Sequence, residues 1–140
     1  MIVTCSYEEI VALEHGGRAF LAHGGSEESS VAAPSAGRAA VESLLPRLTG
    51  DLSIRTMADQ QELERGARLI VEHLRQEMDA LVVTIHPAAE ETVAAYFDFA
   101  HALAFLGRVE DAGSEMRALI EVMTGRSPTQ RTIRTFHFPD

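Results

Sequence analysis

The chain has 140 residues, of which 46% are hydrophobic, and its 12 basic and 21 acidic residues give a formal net charge of −9. This length suits one domain with its own core and is too short for two. The acidic balance disfavours binding of nucleic acids, because affinity for phosphate backbones comes from clustered basic side chains. All twelve basic residues are arginine. The absence of lysine excludes a Walker A phosphate loop and a pyridoxal Schiff base.

The N-terminal sequence predicts a cytoplasmic protein. Residues 1–9 have no basic segment and become acidic at Glu8 and Glu9, unlike a signal or transit peptide. No apolar run approaches the roughly 18 to 20 residues needed to cross a bilayer. The single cysteine, Cys5, cannot form an internal disulfide or build a zinc ribbon. We therefore expect no membrane association and no cofactor.

Residues 1–23 are predicted to form an N-terminal helix. Ser6 and Glu9 have the spacing of a capping box, which marks a helix start. Residues 24–36 are rich in Gly, Ser, Glu and Ala and predict a flexible linker. Residues 37–125 are predicted to form the helical core, beginning with a short amphipathic helix, Arg38–Leu48, that Pro46 kinks or ends.

A long helix of about 28 residues is predicted from Met57 onwards, because apolar residues recur at helical spacing. Thr56 and Asp59 form a second capping box in front of it. The apolar stripe consists of Leu63, Ala67, Ile70, Leu74, Met78, Leu81 and Ile85. The β-branched residues of 81–85 also fit a strand, but the stripe continues through them in register, so we favour helix.

Pro87, followed by Glu90 and Glu91, predicts the start of the next helix. Its main inward stripe is predicted to be Val93, Tyr96, Phe97, Ala100 and Ala104. Apolar residues fill its other faces as well, so this helix should be buried nearly all round. The remaining short helices can scarcely surround this helix in a monomer, so we expect part of it to contact a second chain in a homo-oligomer. The alternative is a central helix that the first helix and the tail bury. The predicted interface residues are Phe99, Leu103, Leu106, Phe136 and Phe138.

Leu106-Gly107-Arg108 is predicted to be a turn into a last helix, Val109–Met123, that Gly125 caps. The run from Ala100 to Ala112 resembles the turn of a tetratricopeptide repeat, but one copy cannot form a solenoid, so an ordinary helical hairpin is favoured. The fold prediction is thus mainly α, a small bundle built on antiparallel helical hairpins. Residues 126–140 are predicted to form an extended aromatic and basic tail, with minor β pairing left open.

Two segments have an arginine followed five residues later by a histidine: Arg18 with His23, and Arg68 with His73. In a helical bundle, this Arg-x4-His pattern resembles the HEPN ribonucleases. The resemblance implies that dimerisation brings two motifs together and that His73, with Arg68, acts in cleavage of the RNA backbone. The simpler interpretation makes Arg68 and His73 solvated residues at the edge of the long helix.

A metal site can be built on the same pair of helices. If they run antiparallel about Pro87, His73 lies level with His101 and Glu77 with Asp98, and bundle metal sites use such sets. The angular positions of these residues, far from the centre of the apolar stripes, indicate boundary or surface residues instead. We therefore predict no metal.

No nucleophile elbow, glycine-rich phosphate loop or zinc-protease motif occurs. The sequence accordingly predicts a non-catalytic interaction or regulatory module in the cytoplasm. We expect it to associate with itself or with a protein partner through an apolar helix face. The alternative is a HEPN-like ribonuclease.

Overall fold

The computed structural model describes residues 1–22, 34–84 and 89–125. Within these ranges four helices pack together: α1 (Tyr7–Ala22), α2 (Pro34–Leu44), α3 (Met57–Thr84) and α4 (Glu90–Thr124). A single 3-10 turn, Leu45–Arg47, extends α2. Two short strands, β1 (Ile2–Val3) and β2 (Leu52–Ser53), pair antiparallel. The predicted mainly α small bundle is confirmed.

The N-terminal capping box of α1 is confirmed. The Ser6 amide donates to Glu9 Oε1 at 2.9 Å, and the Glu9 amide donates to Ser6 Oγ at 3.2 Å. The second box forms only in part, since the Asp59 amide donates to Thr56 Oγ1 while the Asp59 carboxylate binds Arg47. Gly125 ends α4 in the left-handed conformation, as predicted.

α3 is a helix throughout Met57–Thr84, so residues 81–84 are helical, which is the favoured of the two predictions for this segment. α2 begins at Pro34, inside the range 24–36 that predicted a linker. Several other predicted features lie outside the described residues: the rest of the linker from 24 to 33, Ile85, the helix start at Pro87 and the tail 126–140.

The core joins all four helices. Leu13 and Phe20 of α1, Val41 of α2 and Phe105 of α4 belong to one cluster of buried side chains. Glycine allows α2 to approach α3 closely, because a Cβ atom at Gly66 would lie 2.8 Å from the carbonyl oxygen of Ala40. Within the described ranges, no helix is long and apolar enough to span a membrane.

The turn predicted at Leu106-Gly107-Arg108 is wrong, and with it the hairpin resembling a tetratricopeptide repeat. α4 runs without interruption from Glu90 to Thr124. One glycine inside a helix costs only about 1 kcal/mol relative to alanine, and no capping residue follows Gly107 to begin a new helix. The buried positions also keep one helical phase across this point: Ala102, Phe105, Leu106, Val109, Ala112, Met116 and Ile120. Packing along this continuous face outweighs the cost of the glycine.

Candidate functional surfaces

The first half of α4 carries apolar residues on two opposite sides. One side is buried in the core, and we call it the inward face: Thr92, Ala95, Ala102, Phe105, Leu106 and Val109. The other side we call the outward face: Val93, Tyr96, Phe97, Ala100, Leu103, Ala104 and Gly107. At 100° per residue the outward positions fall within about 120° of one another. None of them carries a charge.

The large side chains of the outward face are in contact with solvent. Tyr96 and Phe97 are each 55% exposed, Leu103 is 46% exposed and Val93 is 41% exposed. The rings of Tyr96 and Phe97 pack edge to face, with their centroids 6.0 Å apart. The sequence prediction had this stripe pointing inward, and that assignment is wrong. The inward face, in the register of Phe105 and Val109, packs on the core instead.

The predicted interface residues fall into three groups. Leu103 lies on the outward face, and Phe99 is half-buried against the core. Leu106 is only 6% exposed and belongs to the core, so a partner cannot reach it without unfolding. Phe136 and Phe138 lie outside the described residues. The exposed apolar surface is therefore the outward face of α4. Of the predicted interface residues that the structure describes, Leu103 belongs to this face, and Phe99 and Leu106 do not.

The two residues of the ribonuclease prediction are engaged in other contacts. Arg68 Nη2 donates to Glu64 at 2.8 Å and to Glu110 at 2.6 Å. These hydrogen bonds, the one to Glu110 acting most strongly, raise the pKa of Arg68. The His73 ring packs edge-on against Phe20, with centroids 6.3 Å apart. These contacts suit residues that hold helices together, and a ribonuclease activity remains a prediction.

The other Arg-x4-His pair is described only in part. Arg18 Nη2 lies 3.7 Å from Glu14 Oε2, one helical turn earlier, and the two residues form an ordinary exposed ion pair. His23 lies outside the described residues, so the geometry of this pair is not defined.

The four residues of the metal hypothesis do not assemble into a site. His73 Nε2 is 4.0 Å from Glu77 Oε2, and Glu77 Oε1 is 3.4 Å from His15 Nε2. Asp98 and His101 make no hydrogen bond or ion pair with His73 or Glu77. Among the described residues no group of three or more His, Cys, Asp or Glu could hold a metal ion.

A partly buried ion pair links the start of α1 to the middle of α4, and no sequence-based prediction identified it. Arg108 donates to Glu9 Oε1 and to the Thr4 carbonyl oxygen. Burial alone would raise the pKa of Glu9, but the hydrogen bonds from Arg108 and Ser6 outweigh it and lower that pKa. The two partners are 99 residues apart, and Arg108 had been assigned to a turn. No local pattern in the sequence indicates this contact.

Cys5 lies beside this ion pair. Burial, followed by the negative charge of Glu9, raises the pKa of the Cys5 thiol to about 11. The thiol is therefore protonated at neutral pH, and a protonated thiol is a poor nucleophile. Cys5 acts as a small core residue.

An open groove of about 420 Å³ lies where α3 faces the second half of α4. Its lining residues are Gln61, Glu64, Arg65, Arg68, Leu69 and Arg117. Sequence analysis did not identify this groove, because Arg117 is far along the chain from the residues of α3. The i, i+3 spacing of Arg65 and Arg68, which puts both on one side of α3, was the available signal.

Comparisons of the chain with protein-family models, with curated proteins and with solved structures found no match. Two surfaces of the molecule remain as candidates for function: the outward face of α4 and the groove between α3 and α4.

Proposed function

We propose that this protein is a non-catalytic interaction module that pairs with a second copy of itself through the outward face of α4. The supporting observation is an exposed, uncharged apolar surface on a helix whose other side is already in the core. Covering such a surface removes apolar area from water, which is the main favourable term in protein association. The surface extends over about 21 Å of helix, from Val93 to Gly107.

The order of side chains along the outward face favours a second copy as the partner. Its first half carries the bulky residues Val93, Tyr96 and Phe97, and its second half is mostly small, with Leu103 as the exception. If two α4 helices pack antiparallel about a two-fold axis at Ala100, Tyr96 of one copy lies opposite Ala104 of the other. Val93 then lies opposite Gly107, so a large side chain meets a small one in these two pairs, while Phe97 meets Leu103 in an apolar contact. A self-complementary face of this kind is what a two-fold dimer requires, and small residues permit helix axes at the short end of the usual 8 to 10 Å range.

Electrostatics also favours this face over the rest of the surface. Two copies that each carry a charge of −9 repel, so they should meet where no carboxylates are brought together. The same side of α4 becomes polar beyond Gly107, where Asp111, Ser114 and Glu115 follow. The contact is thereby limited to residues 93–107. We place the protein in the cytoplasm, and its single cysteine, a buried free thiol, is compatible with that location.

Light scattering over a concentration series tests the proposal with a matched pair of variants. The wild-type protein should have twice the chain mass of 15.2 kDa. Leu103→Glu should dissociate the dimer, because it places a carboxylate in the centre of an apolar contact. Leu119→Glu is the control, since Leu119 is 43% exposed on the same helix but outside the outward face. A wild-type monomer at all concentrations contradicts the proposal, as does equal dissociation by both variants.

Disulfide cross-linking tests the antiparallel arrangement. In the proposed pair the two Ala100 positions face each other, so Ala100→Cys should form an intermolecular disulfide on mild oxidation. Ala118→Cys, on the same side of α4 but beyond residues 93–107, should not. The native Cys5 is buried and does not compete. A dimer that cross-links at Ala118 and not at Ala100 would overturn the arrangement.

The predicted contribution of the tail is tested separately. In the full chain, Phe136→Ser together with Phe138→Ser should weaken the dimer if these aromatics belong to the interface. An unchanged dissociation constant would remove both residues from it while leaving the outward face as the contact.

A further inference from the structure

Two arginines have no partner within the described ranges 1–22, 34–84 and 89–125, and both line the groove between α3 and α4. Among the described residues, Arg65 and Arg117 alone of the arginines make no hydrogen bond or ion pair. The others are engaged: Arg18, Arg38, Arg47, Arg55, Arg68, Arg75 and Arg108. In a chain with 21 acidic residues, two unpaired guanidinium groups from different helices at one groove need an explanation.

The carboxylates nearest the groove are already occupied. Glu64 accepts from Gln60 Nε2 at 2.9 Å with one oxygen and from Arg68 with the other. Glu110 also accepts from Arg68. Arg68 is thus paired with carboxylates, whereas Arg65 and Arg117 make no ion pair with any described residue, including Glu121 four positions after Arg117.

Arg65 has an acidic neighbour on its own helix, Glu62 three residues before it, but makes no ion pair with it. The positions four residues before and after Arg65 are Gln61 and Leu69. Both are neutral, and both line the groove. The groove therefore combines two free guanidinium groups, one amide and one apolar side chain, and its volume of about 420 Å³ is within the range of small-molecule sites.

We propose that this groove binds a small molecule carrying a doubly charged oxyanion, the charge class of a phosphate monoester, held between Arg65 and Arg117. Guanidinium groups bind phosphate oxygens through paired, charge-assisted hydrogen bonds, and two of them match a charge of −2. Leu69 and Gln61 supply apolar and polar contacts for the rest of the molecule. This site is independent of the pairing of α4, because none of its residues belongs to the outward face.

Calorimetric titration with inorganic phosphate and with glycerol phosphate tests the site, against chloride at the same ionic strength. We expect saturable binding of one anion per chain. Arg65→Gln and Arg117→Gln should each raise the Kd by at least about tenfold, because each removes charge-assisted hydrogen bonds. Arg18→Gln is the matched control, since it removes the same charge from an exposed position on α1 and should change the Kd less than about twofold.

Several outcomes would overturn the proposal. One is the absence of saturable binding by either probe at millimolar concentrations. Another is an equal loss of affinity in all three variants, which would show attraction to the general charge of the surface. Binding that survives both Arg65→Gln and Arg117→Gln would place the anion elsewhere. Tighter binding of glycerol phosphate than of inorganic phosphate would support the site and show that it contacts the organic group.

Discussion

The inward and outward faces of α4 have similar composition, but the inward face is buried and the outward face is exposed. Phe105 on the inward face is fully buried, while Phe97, two turns earlier on the outward face, is 55% exposed. Each face combines small residues with large apolar ones, so hydrophobicity does not distinguish them. The inward face is covered because α1 and α3 lie against it. Burial along this helix is therefore decided by its packing partners and not by its own composition.

The difference has a physical consequence for the molecule in solution. The apolar area of the inward face contributes to folding, whereas that of the outward face can contribute only when something covers it. Substitutions on the two faces should therefore affect different equilibria. Inward substitutions should change the free energy of unfolding, and outward ones the dissociation constant of the dimer.

The largest expected effect is that of Phe105→Ala compared with Phe97→Ala. Removing the buried ring should lower the free energy of unfolding by about 3 to 5 kcal/mol, because it leaves a cavity in the core. The same truncation at Phe97 should change it by less than about 0.5 kcal/mol in the monomer, since the ring is largely hydrated. Urea denaturation of both variants in the Leu103→Glu background measures folding without dimerisation. Similar losses at the two positions would mean that the outward face is covered within one chain.

A smaller effect is expected at the Glu9–Arg108 ion pair, which joins the start of α1 to the middle of α4. Glu9→Gln should destabilise the protein by about 1 to 3 kcal/mol at neutral pH, because it removes a charged, buried partner of Arg108. Glu72→Gln is the control, since Glu72 binds Arg75 on the exposed surface of α3, where ion pairs contribute little.

The pH dependence of this pair has a defined sign. The pKa of Glu9 is lowered in the folded protein, so its ionised form contributes stability above the usual glutamate pKa of about 4.3. That contribution is lost as the pH falls through the lowered folded pKa. Denaturation curves of wild type and Glu9→Gln should differ at pH 7 and converge at acidic pH. A difference that persists unchanged at pH 2 would mean that the contact does not depend on the charge of Glu9.

Local signals in the sequence predicted the starts of α1 and α3, because a capping box acts within one helical turn. The phase of α4 was missed because the helix was divided at Gly107. In the second half of α4, charged residues such as Asp111 and Glu115 lie on the side opposite Val109 and Met116, and this contrast indicates which side is buried. In its first half both sides are apolar and give no such mark. Extending the phase of the second half backwards through Gly107 identifies the inward face. The spacing of Arg65 and Arg68 marks only the α3 side of the groove. The approach of Arg117 to that side, and the Glu9–Arg108 pair, depend on tertiary packing, which no local pattern encodes.

The smallest effect is expected at Gly107, and its comparison with Gly113, on the buried side of α4, tests this phase directly. At Gly107 a Cβ atom would meet nothing within 4 Å, so Gly107→Ala should stabilise the monomer by about 0.5 to 1 kcal/mol through helix propensity. At Gly113 a Cβ atom would overlap the buried amide of Gln60, which is held by hydrogen bonds to Val109 and Glu64. Gly113→Ala should therefore destabilise the protein by about 1 to 3 kcal/mol.

The Leu103→Glu background again separates folding from pairing. This matters because Gly107 faces Val93 of the partner in the proposed dimer, where an added methyl group would crowd the contact. Gly107→Ala should thus raise the melting temperature of the monomer while weakening association of the otherwise wild-type chain. A destabilised monomer would mean that α4 is not one straight helix through Gly107, and the assignment of inward and outward faces would then fail with it.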